Sequence, residues 1–413
     1  MTIADRPRVD LREVLRTTCA ASPVEAIDVM ADGLATLTDA TDVQFLITNV
    51  THRAVVRFAG SHTNAARVKQ QNGRVPVVPL PGTEYEQVLR RQQVVRLPEA
   101  TGERILVPVT ESGDALGVID LRLPREADDR VFADIASVAE ALARVVVASR
   151  RHSDLMDWAQ DTAPFSLAAE IQRRLLPGSY TCETDRFTLA GWLEPANAVG
   201  GDTFDYSLER DTLHLSVTDA VGNDVNAALL ASVLLGSLRN SRRRGADLAR
   251  QARAANDALA AHAHVGQFVT GQLVRLDLHT GGMTIVNAGH PLPYRVRDGR
   301  VSEIPLEVDM PFGLYPGRAL RVQQVQLEPG DRVVLVTDGM LERNAEDLDL
   351  ATMLRREATT HARELVYELA ETVLHATGGE LEDDATVLCL DWRGDPADQP
   401  DRPDLPNCPD REE

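Results

Sequence analysis

Apolar residues recur along the first part of the chain with two different periods, and the change of period predicts alternating helices and strands. Apolar positions three and four residues apart join Ile27, Met30, Leu34 and Leu37, and the same spacing returns between residues 131 and 145. Between these two stretches, short apolar runs of the strand type cover residues 43–48, 54–58, 104–109 and 115–121. The pattern predicts a mixed sheet with a helix before it and a closing helix after it.

The second part of the chain is richer in strands. Strand patterns occupy residues 187–192, 212–218, 267–278, 283–288, 294–297, 321–327, 332–337 and 385–391. Helices are predicted at 224–238, at 247–262 and around Leu365, Leu369 and Val373. The first of these helices is apolar on nearly every side, which is typical of a helix that lies between layers. We therefore predict an α+β fold in which two packed sheets carry helices on their outer faces.

The length of 413 residues indicates more than one domain. We expect a polar lead-in at 1–21, a first domain at 22–148, a helical linker at 149–177, a second domain at 178–392, and a disordered acidic, proline-rich tail at 393–413. Pro164 should bend the linker, because proline lacks a backbone donor and clashes with the preceding turn. The linker is either a rod that transmits a signal or a plain spacer.

The charge balance argues against some partners. Acidic residues outnumber basic ones by 63 to 43, and a net charge of −20 repels both nucleic acid and anionic membranes. Lys69 is the only lysine, so the chain lacks the Gly-Lys-Ser/Thr motif of a P-loop nucleotidase. Four scattered cysteines, no leader-like start and no apolar stretch long enough to span a bilayer predict a cytoplasmic protein.

Acidic residues stand at the ends of several predicted strands. Asp202 follows a Gly-Gly pair, Asp219 ends an alternating strand, Asp338 follows an apolar strand, and Asp383 and Asp384 precede the last one. Carboxylates on stiff supports beside glycines suit hard divalent cations, which prefer oxygen ligands. Each site alone also fits an ordinary turn aspartate. The ordered set is the main chemical signal in the sequence.

Seven segments in order resemble the SpoIIE/RsbU-type branch of the metal-dependent PPM protein phosphatases over residues 166–392. They are IQRRLLP, AVGGDTFDY, TDAVGNDVNAALLA, FVTGQLVRLD, NAGHPLPY, PGDRVVLVTDGMLE and DDATVLCL. The resemblance implies a β-sandwich flanked by helices and a site for two Mn²⁺ or Mg²⁺ ions. It assigns the ligands to the carboxylates of Asp202, Asp219, Asp338 and Asp383 and to the backbone carbonyl of Ala220. It also implies hydrolysis of phosphoserine or phosphothreonine on a phosphorylated STAS-type anti-sigma-factor antagonist.

One segment departs from the family pattern. Family members usually carry Asp-Val-Ser-Gly-Lys/His-Gly where this chain has a loop from Asp219 to Asp224 without the second glycine and the basic residue. A catalytically inactive binding module and a two-metal hydrolase of a small phosphoester therefore remain alternatives. Two further residues are ambiguous: His290 is either a general acid or a turn residue, and Asp205 either supports a ligand or caps a helix.

Residues 22–148 resemble a GAF domain in the order of their elements and in one hairpin, ILVPV followed by a turn and ALGVIDL. The resemblance implies a regulatory domain that senses a small-molecule ligand or redox state, and a homodimer formed through terminal helices. A GAF fold with an empty or purely structural pocket is the alternative. The residues do not identify a ligand.

Overall fold

The computed structural model describes residues 10–49, 52–61, 77–160, 166–196, 200–222, 224–341, 349–378, 381 and 383–395. The chain forms two compact units, Met1–Phe165 and Ser166–Glu413. Both combine helices with antiparallel sheets, so the predicted α+β class is confirmed. Within the described ranges, no helix is both long and apolar enough to cross a membrane.

Helices and strands alternate irregularly in the first unit. Its helices are α1 (Leu11–Ala20), α2 (Ala26–Thr38), α3 (Glu84–Arg91), α4 (Asp129–Ser149) and α5 (Leu155–Gln160). Its strands are β1 (Asp42–Thr48), β2 (Ala54–Gly60), β3 (Val77–Pro79), β4 (Val95–Pro98), β5 (Glu103–Glu111) and β6 (Asp114–Leu123). They form an antiparallel sheet in the order β3-β2-β1-β6-β5-β4. Helices α1, α2, α4 and α5 share the core on one face, and α3 packs on the other.

The hairpin between β5 and β6 is confirmed. Glu111 lies opposite Asp114, and the two residues between them, Ser112 and Gly113, have φ angles of 49° and 86°. Two consecutive left-handed residues are the geometry of a tight hairpin turn. The turn therefore lies at the four residues where the pattern predicts it.

Two segments of the first unit differ from the expectation. Residues expected as a polar lead-in form α1, which Asp10 caps and which buries Val14 and Thr18. Part of the expected linker, α5, packs into the core of the first unit through Met156 and Ala159. The predicted bend at Pro164 lies outside the described residues.

The second unit contains the remaining elements. Its helices are α6 (Leu167–Leu175), α7 (Val225–Arg243), α8 (Leu248–His262), α9 (Leu350–Arg356) and α10 (Ala362–Ala376). Its strands are β7 (Thr181–Glu183), β8 (Phe187–Glu194), β9 (Asp202–Leu208), β10 (Thr212–Ala220), β11 (Val269–Asp277), β12 (Gly282–Ala288), β13 (Tyr294–Arg297), β14 (Arg300–Glu303), β15 (Gln323–Gln326), β16 (Arg332–Val336) and β17 (Ala385–Trp392).

These strands form two antiparallel sheets that pack face to face. Their orders are β15-β12-β11-β10-β9 and β14-β13-β16-β17-β8-β7. Phe204 and Leu215 of the first sheet and Leu335 and Leu388 of the second belong to the core between them. Helices α7 and α8 cover the outer face of the first sheet, and α9 and α10 cover that of the second. The predicted layers, two sheets with helices outside, are confirmed.

Helix α6 belongs to this second unit, although residues up to 177 were expected as linker. It packs against α7 and β9. Ser166 caps its first turn, and Ala168 and Gln172, four residues apart, face inward.

Candidate metal centre

Asp202 and Asp219 lie opposite each other on neighbouring strands at one edge of the first sheet. Alternation along β9 and β10 places them on the same face as Phe204 and Val217, which point between the two sheets. Residues directly opposite in an antiparallel pair have Cβ atoms about 4.5–5.5 Å apart. The β9–β10 hairpin thus pairs two aspartates that are 17 positions apart in the chain.

Asp338 and Asp383 lie at the edge of the second sheet. Asp338 begins a short 3-10 turn, Asp338–Leu341, directly after β16, and Asp383 precedes β17. Because β16 and β17 are antiparallel neighbours, the end of one and the start of the other share an edge. Both aspartates are exposed.

The charges of these acids act on one another across the two sheets. Burial raises the pKa of Asp219 to about 7, and the negative charges of Asp338, Asp383 and Asp384 contribute to this rise. Partial desolvation of Asp383, whose side chain is still open to solvent on one side, raises its pKa, with a contribution from the charge of Asp338. The structure thus brings the four predicted carboxylates into one electrostatic cluster.

The Asp202 carboxylate lies inside the sandwich and is 1% exposed. Its Oδ2 accepts hydrogen bonds from Thr337 Oγ1 at 2.7 Å and Thr386 Oγ1 at 2.6 Å, both from the opposite sheet. Burial raises its pKa well above the ordinary value, and the charges of Asp219 and Asp384 add to this, while the two threonine bonds oppose it. Asp202 therefore joins the two sheets at the site.

Asp384, next to Asp383, is buried and supports the site through hydrogen bonds to two other segments. Its Oδ1 accepts a hydrogen bond from Ala196 N at 2.8 Å, and its Oδ2 accepts one from Gln172 Nε2 at 2.6 Å. Burial raises its pKa to about 6, and these two bonds oppose the rise. Both oxygens are engaged within the protein, whereas Asp383 is exposed.

Glycines allow the backbone to close around the acids. A Cβ at Gly201 would lie 2.0 Å from Ala220 O, one at Gly200 would lie 1.3 Å from Asp384 Oδ2, and one at Gly339 would lie 2.0 Å from Asp384 O. No side chain fits at such distances, so these positions require glycine. The contact at Gly201 holds the Ala220 carbonyl, the fifth predicted ligand, beside the start of β9.

The donor set fits a hard divalent cation. Every predicted donor is an oxygen, which suits Mg²⁺ and Mn²⁺ rather than zinc. Carboxylates that raise one another's pKa form a cluster that positive charge would stabilise. Among the residues described, no three His, Cys, Asp or Glu side chains already meet as a ligand group.

His290 lies in a buried turn, which favours the second of its two interpretations. It is 3% exposed, its Nδ1 lies 2.9 Å from Thr270 Oγ1, and its backbone is paired with the Asn287 side chain. Burial lowers its pKa to about 4, so the imidazole is neutral near pH 7. A neutral, buried imidazole suits a turn residue better than a general acid.

Asp205 takes neither of its two expected roles. It lies on β9, on the face opposite to Asp202, and is 4% exposed. Its carboxylate pairs with Arg239 at 2.9 Å and Arg242 at 3.3 Å. It therefore fastens α7 to the sheet. A helix cap is excluded because Asp205 lies within a strand.

Asp224, which stands where the family pattern has its second glycine, has a structural role of its own. Asp224 caps α7, and its Oδ1 accepts hydrogen bonds from Asn226 N at 2.8 Å and Ala227 N at 3.2 Å. These bonds lower its pKa. The Asp224 carboxylate is thus used in capping the first turn of α7.

Sequence reasoning missed three buried polar residues of the site: Gln172, Thr337 and Thr386. Thr337 directly precedes Asp338 in the sequence, so adjacency to a predicted ligand was a usable signal for it. Thr386 lies three positions after Asp383, inside β17, and lacked that signal. The only signal for Gln172 was its position on the inner face of a predicted helix.

Residues 209–393 match the family model described as Stage II sporulation protein E (SpoIIE). Asp219, Ala220, Asp338 and Asp383 lie inside the matched region, and Asp202 lies before it. The chain is 20% identical over 268 residues to phosphoserine phosphatase RsbU of Bacillus subtilis (strain 168), which covers 63% of this chain and 79% of RsbU.

Solved structures also match. The RsbU and RsbW domains of Rv1364c from Mycobacterium tuberculosis are 27% identical, with a TM-score of 0.45, over 51% of this chain and 62% of that one. The catalytic domain of the serine/threonine phosphatase PstP in complex with two manganese ions is 18% identical, with a TM-score of 0.41, over 50% of this chain and 99% of that one. This chain thus spans about three fifths of the first of these two structures. The family match and the similarity to RsbU show that residues 209–393 of the second unit form a SpoIIE-type PPM phosphatase domain.

Proposed function

We propose that the chain removes phosphate from phosphoserine or phosphothreonine of a partner protein at the sheet edge that carries Asp202 and Asp219. The observation that carries the proposal is the register pairing of these two acids, with Asp338 and Asp383 close enough to raise the pKa values around them.

The carboxylates of Asp202, Asp219, Asp338 and Asp383 and the carbonyl of Ala220 would hold two Mn²⁺ or Mg²⁺ ions. Such a pair supplies positive charge for the phosphoryl oxygens and makes water a better nucleophile near neutral pH. In the overall reaction, water oxygen bonds to phosphorus, the ester P–O bond breaks, and the departing serine or threonine oxygen takes a proton.

The residues of the chain have distinct parts in this reaction. Thr337 and Thr386 fix the orientation of Asp202, and Gly201 lets the Ala220 carbonyl approach. Asp338 and Asp383 are exposed, so the site opens to solvent on their side. A phosphorylated side chain on another protein can reach an edge of this kind without a deep pocket.

The proposed partner is a phosphorylated anti-sigma-factor antagonist of the STAS type, in a partner-switching pathway. Similarity to RsbU, a phosphoserine phosphatase, supports a substrate that carries phosphoserine, and the antagonist itself is what the family resemblance of the sequence implies. The cytoplasmic location stays a prediction from the sequence.

We also propose that the first unit, with GAF-like element order, regulates the second. Support comes from its sheet with three long helices on one face and the β5–β6 hairpin. A small-molecule ligand and a homodimer remain predictions, as do the proposed domain boundaries.

The test is phosphate release by the full-length chain from a purified phosphorylated antagonist, with and without Mn²⁺, beside p-nitrophenyl phosphate. We expect Mn²⁺-dependent release from the phosphoprotein. Release only from small phosphoesters would favour the small-phosphoester hydrolase. No release with any divalent metal would favour an inactive binding module.

A further inference from the structure

A buried glutamine connects α6 to the acidic cluster. Gln172 is 3% exposed, and its Nε2 donates to the backbone O of Asp202 at 2.8 Å and to Oδ2 of Asp384 at 2.6 Å. An amide nitrogen has two hydrogens, so both donors are used. Burying an amide without hydrogen bonds costs free energy, so these two bonds matter for the stability of the folded state.

The two acceptors belong to the two sheets that meet at the site. One is the carbonyl of Asp202, whose side chain is a predicted ligand at the start of β9. The other is the carboxylate of Asp384, whose neighbour Asp383 is a predicted ligand at the start of β17. Residues 172 and 384 are separated by 212 positions in the chain, so the contact is purely tertiary.

The Asp384 carboxylate also contacts a third part of the chain, at Ala196 and Gly200. Its Oδ1 accepts from Ala196 N at 2.8 Å, and the backbone of Gly200 packs so closely that a Cβ there would overlap Oδ2. Ala196 and Gly200, which precede Asp202, therefore both contact Asp384. Gln172 in turn bonds to Asp384 and to Asp202. Replacing the Gln172 amide would therefore shift two predicted ligands together, Asp202 and Asp383.

We propose that Gln172 is a positioning residue for the metal centre and sets the spacing between Asp202 and Asp383. This rests on the proposed function of the site. Gln172 lies outside the region matched by the family model, which begins at residue 209. Helix α6 is accordingly part of the machinery of the site, and metal affinity depends on it.

The chemistry of the contact suits glutamine. Leucine has a similar reach but would leave the Asp202 carbonyl and Asp384 Oδ2 without this donor. Glutamate would place a second carboxylate against Asp384 in a buried place, where two like charges repel strongly. Exchanging both partners, Gln172→Glu with Asp384→Asn, restores the bond between positions 172 and 384 in the reverse direction, and the oxygen of the introduced amide can still accept from Ala196 N. The bond to the Asp202 carbonyl stays lost, because a carboxylate has no hydrogen to donate.

The experiment uses the full-length chain and measures Mn²⁺ binding by titration calorimetry, with unfolding of the metal-free protein as a second readout. Removing an outer hydrogen-bond partner of a metal site typically lowers metal affinity about 10–100-fold. For Gln172→Leu we therefore expect Mn²⁺ affinity to fall at least about tenfold. We expect Gln172→Glu to weaken binding further and the Gln172→Glu/Asp384→Asn pair to bind Mn²⁺ more tightly than Gln172→Glu, because the repulsion between the two carboxylates is removed.

The matched control is Gln251→Leu. Gln251 is likewise a helical glutamine that is 3% exposed, and its Nε2 donates to Ala246 O at 2.8 Å, just before the start of α8. This variant should lose stability and keep the wild-type Mn²⁺ affinity.

Wild-type Mn²⁺ affinity in Gln172→Leu, or no recovery in the exchanged pair, would overturn the inference. Wild-type protein that binds Mn²⁺ but releases no phosphate from a phosphoprotein would instead overturn the proposed function, while the binding data still decide the role of Gln172. If Gln172→Leu fails to fold, the exchanged pair compared with each single variant provides the same test.

Discussion

Thr337 donates a hydrogen bond from Oγ1 to Oδ2 of Asp202 over 2.7 Å, and the two residues come from opposite sheets of the sandwich. The same hydroxyl accepts a hydrogen bond from Thr386 N at 2.9 Å. One threonine side chain thus links the orientation of a predicted ligand to the pairing of β16 with β17. Stability and metal binding should both depend on it.

Thr337→Val preserves the shape of the side chain and removes the hydroxyl. We expect stability to fall by about 1–3 kcal/mol, because Thr386 N loses its acceptor and Asp202 loses a donor. We also expect the Mn²⁺ concentration for half-maximal phosphate release to rise several-fold. Urea unfolding and a Mn²⁺ titration of activity measure the two effects.

The control for this variant is Thr38→Val in the first unit. Thr38 is buried, and its hydroxyl donates to Leu34 O at 2.8 Å. This change should lower stability without altering the Mn²⁺ requirement. An unchanged Mn²⁺ requirement in Thr337→Val would argue against a role of this bond in the site.

Asp338→Asn should separate activity from stability. Asp338 is exposed, and its negative charge raises the pKa of Asp219, so removing it relieves repulsion in the metal-free protein. We expect thermal unfolding in EDTA at an equal or higher temperature. Phosphate release should fall about a hundredfold, the equivalent of roughly 3 kcal/mol of transition-state stabilisation.

Asp211→Asn, an exposed acid before the other end of β10, is the control and should keep full activity. Retained turnover in Asp338→Asn would remove Asp338 from the ligand set.

Gly201→Ala tests the close approach of the backbone to the Ala220 carbonyl. The added Cβ would lie 2.0 Å from Ala220 O, so the carbonyl must move away from its place beside Asp202. We expect weaker Mn²⁺ binding, measured by calorimetry, together with lower stability.

Gly236→Ala is the matched control, because Gly236 lies within α7 and a Cβ there would meet nothing within 4 Å. It should raise stability by about 0.5–1 kcal/mol, since alanine favours helix over glycine, with Mn²⁺ affinity unchanged. Equal Mn²⁺ affinity in both variants would contradict the proposed role of Gly201.

Local patterns in the sequence predicted the layers and the four acids because strand ends are visible in the alternation of apolar residues. Asp219 and Asp338 directly follow such runs, and their meeting at one edge follows from antiparallel pairing. The pattern missed β9 itself, although Phe204 and Tyr206 alternate with polar residues there. Asp205 was therefore interpreted as a ligand support or a helix cap, and its ion pairs with α7 were not foreseen.

The long-range hydrogen bonds that support the site could not be predicted in the same way. Asp384 meets Gln172 across 212 positions, and Asp202 meets Thr386 across 184. No local period encodes such contacts, because they depend on how two finished sheets and a helix pack. The family resemblance named ligands but carried no information about these supporting residues.

Glu183 gives the second unit a stability that depends on acid pH. Hydrogen bonding to His361 first, and then to Arg393 at 2.9 Å, lowers its pKa to about 2 although partial burial opposes this. In the unfolded chain an ordinary glutamate titrates near 4.5. Below that pH the unfolded state therefore binds more protons than the folded state, and the stabilisation declines as pH falls from 4.5 toward 2.

Glu183→Gln should accordingly reduce stability near pH 7, and the difference from wild type should shrink through this acid window. Urea unfolding in a Trp158→Phe background, with Trp192 and Trp392 as buried fluorophores of the second unit, measures it. Glu303→Gln, at an exposed position on β14, should show a small difference at every pH. A Glu183→Gln difference that stays constant from pH 7 to the acid limit would mean that these contacts do not hold the carboxylate in its charged form.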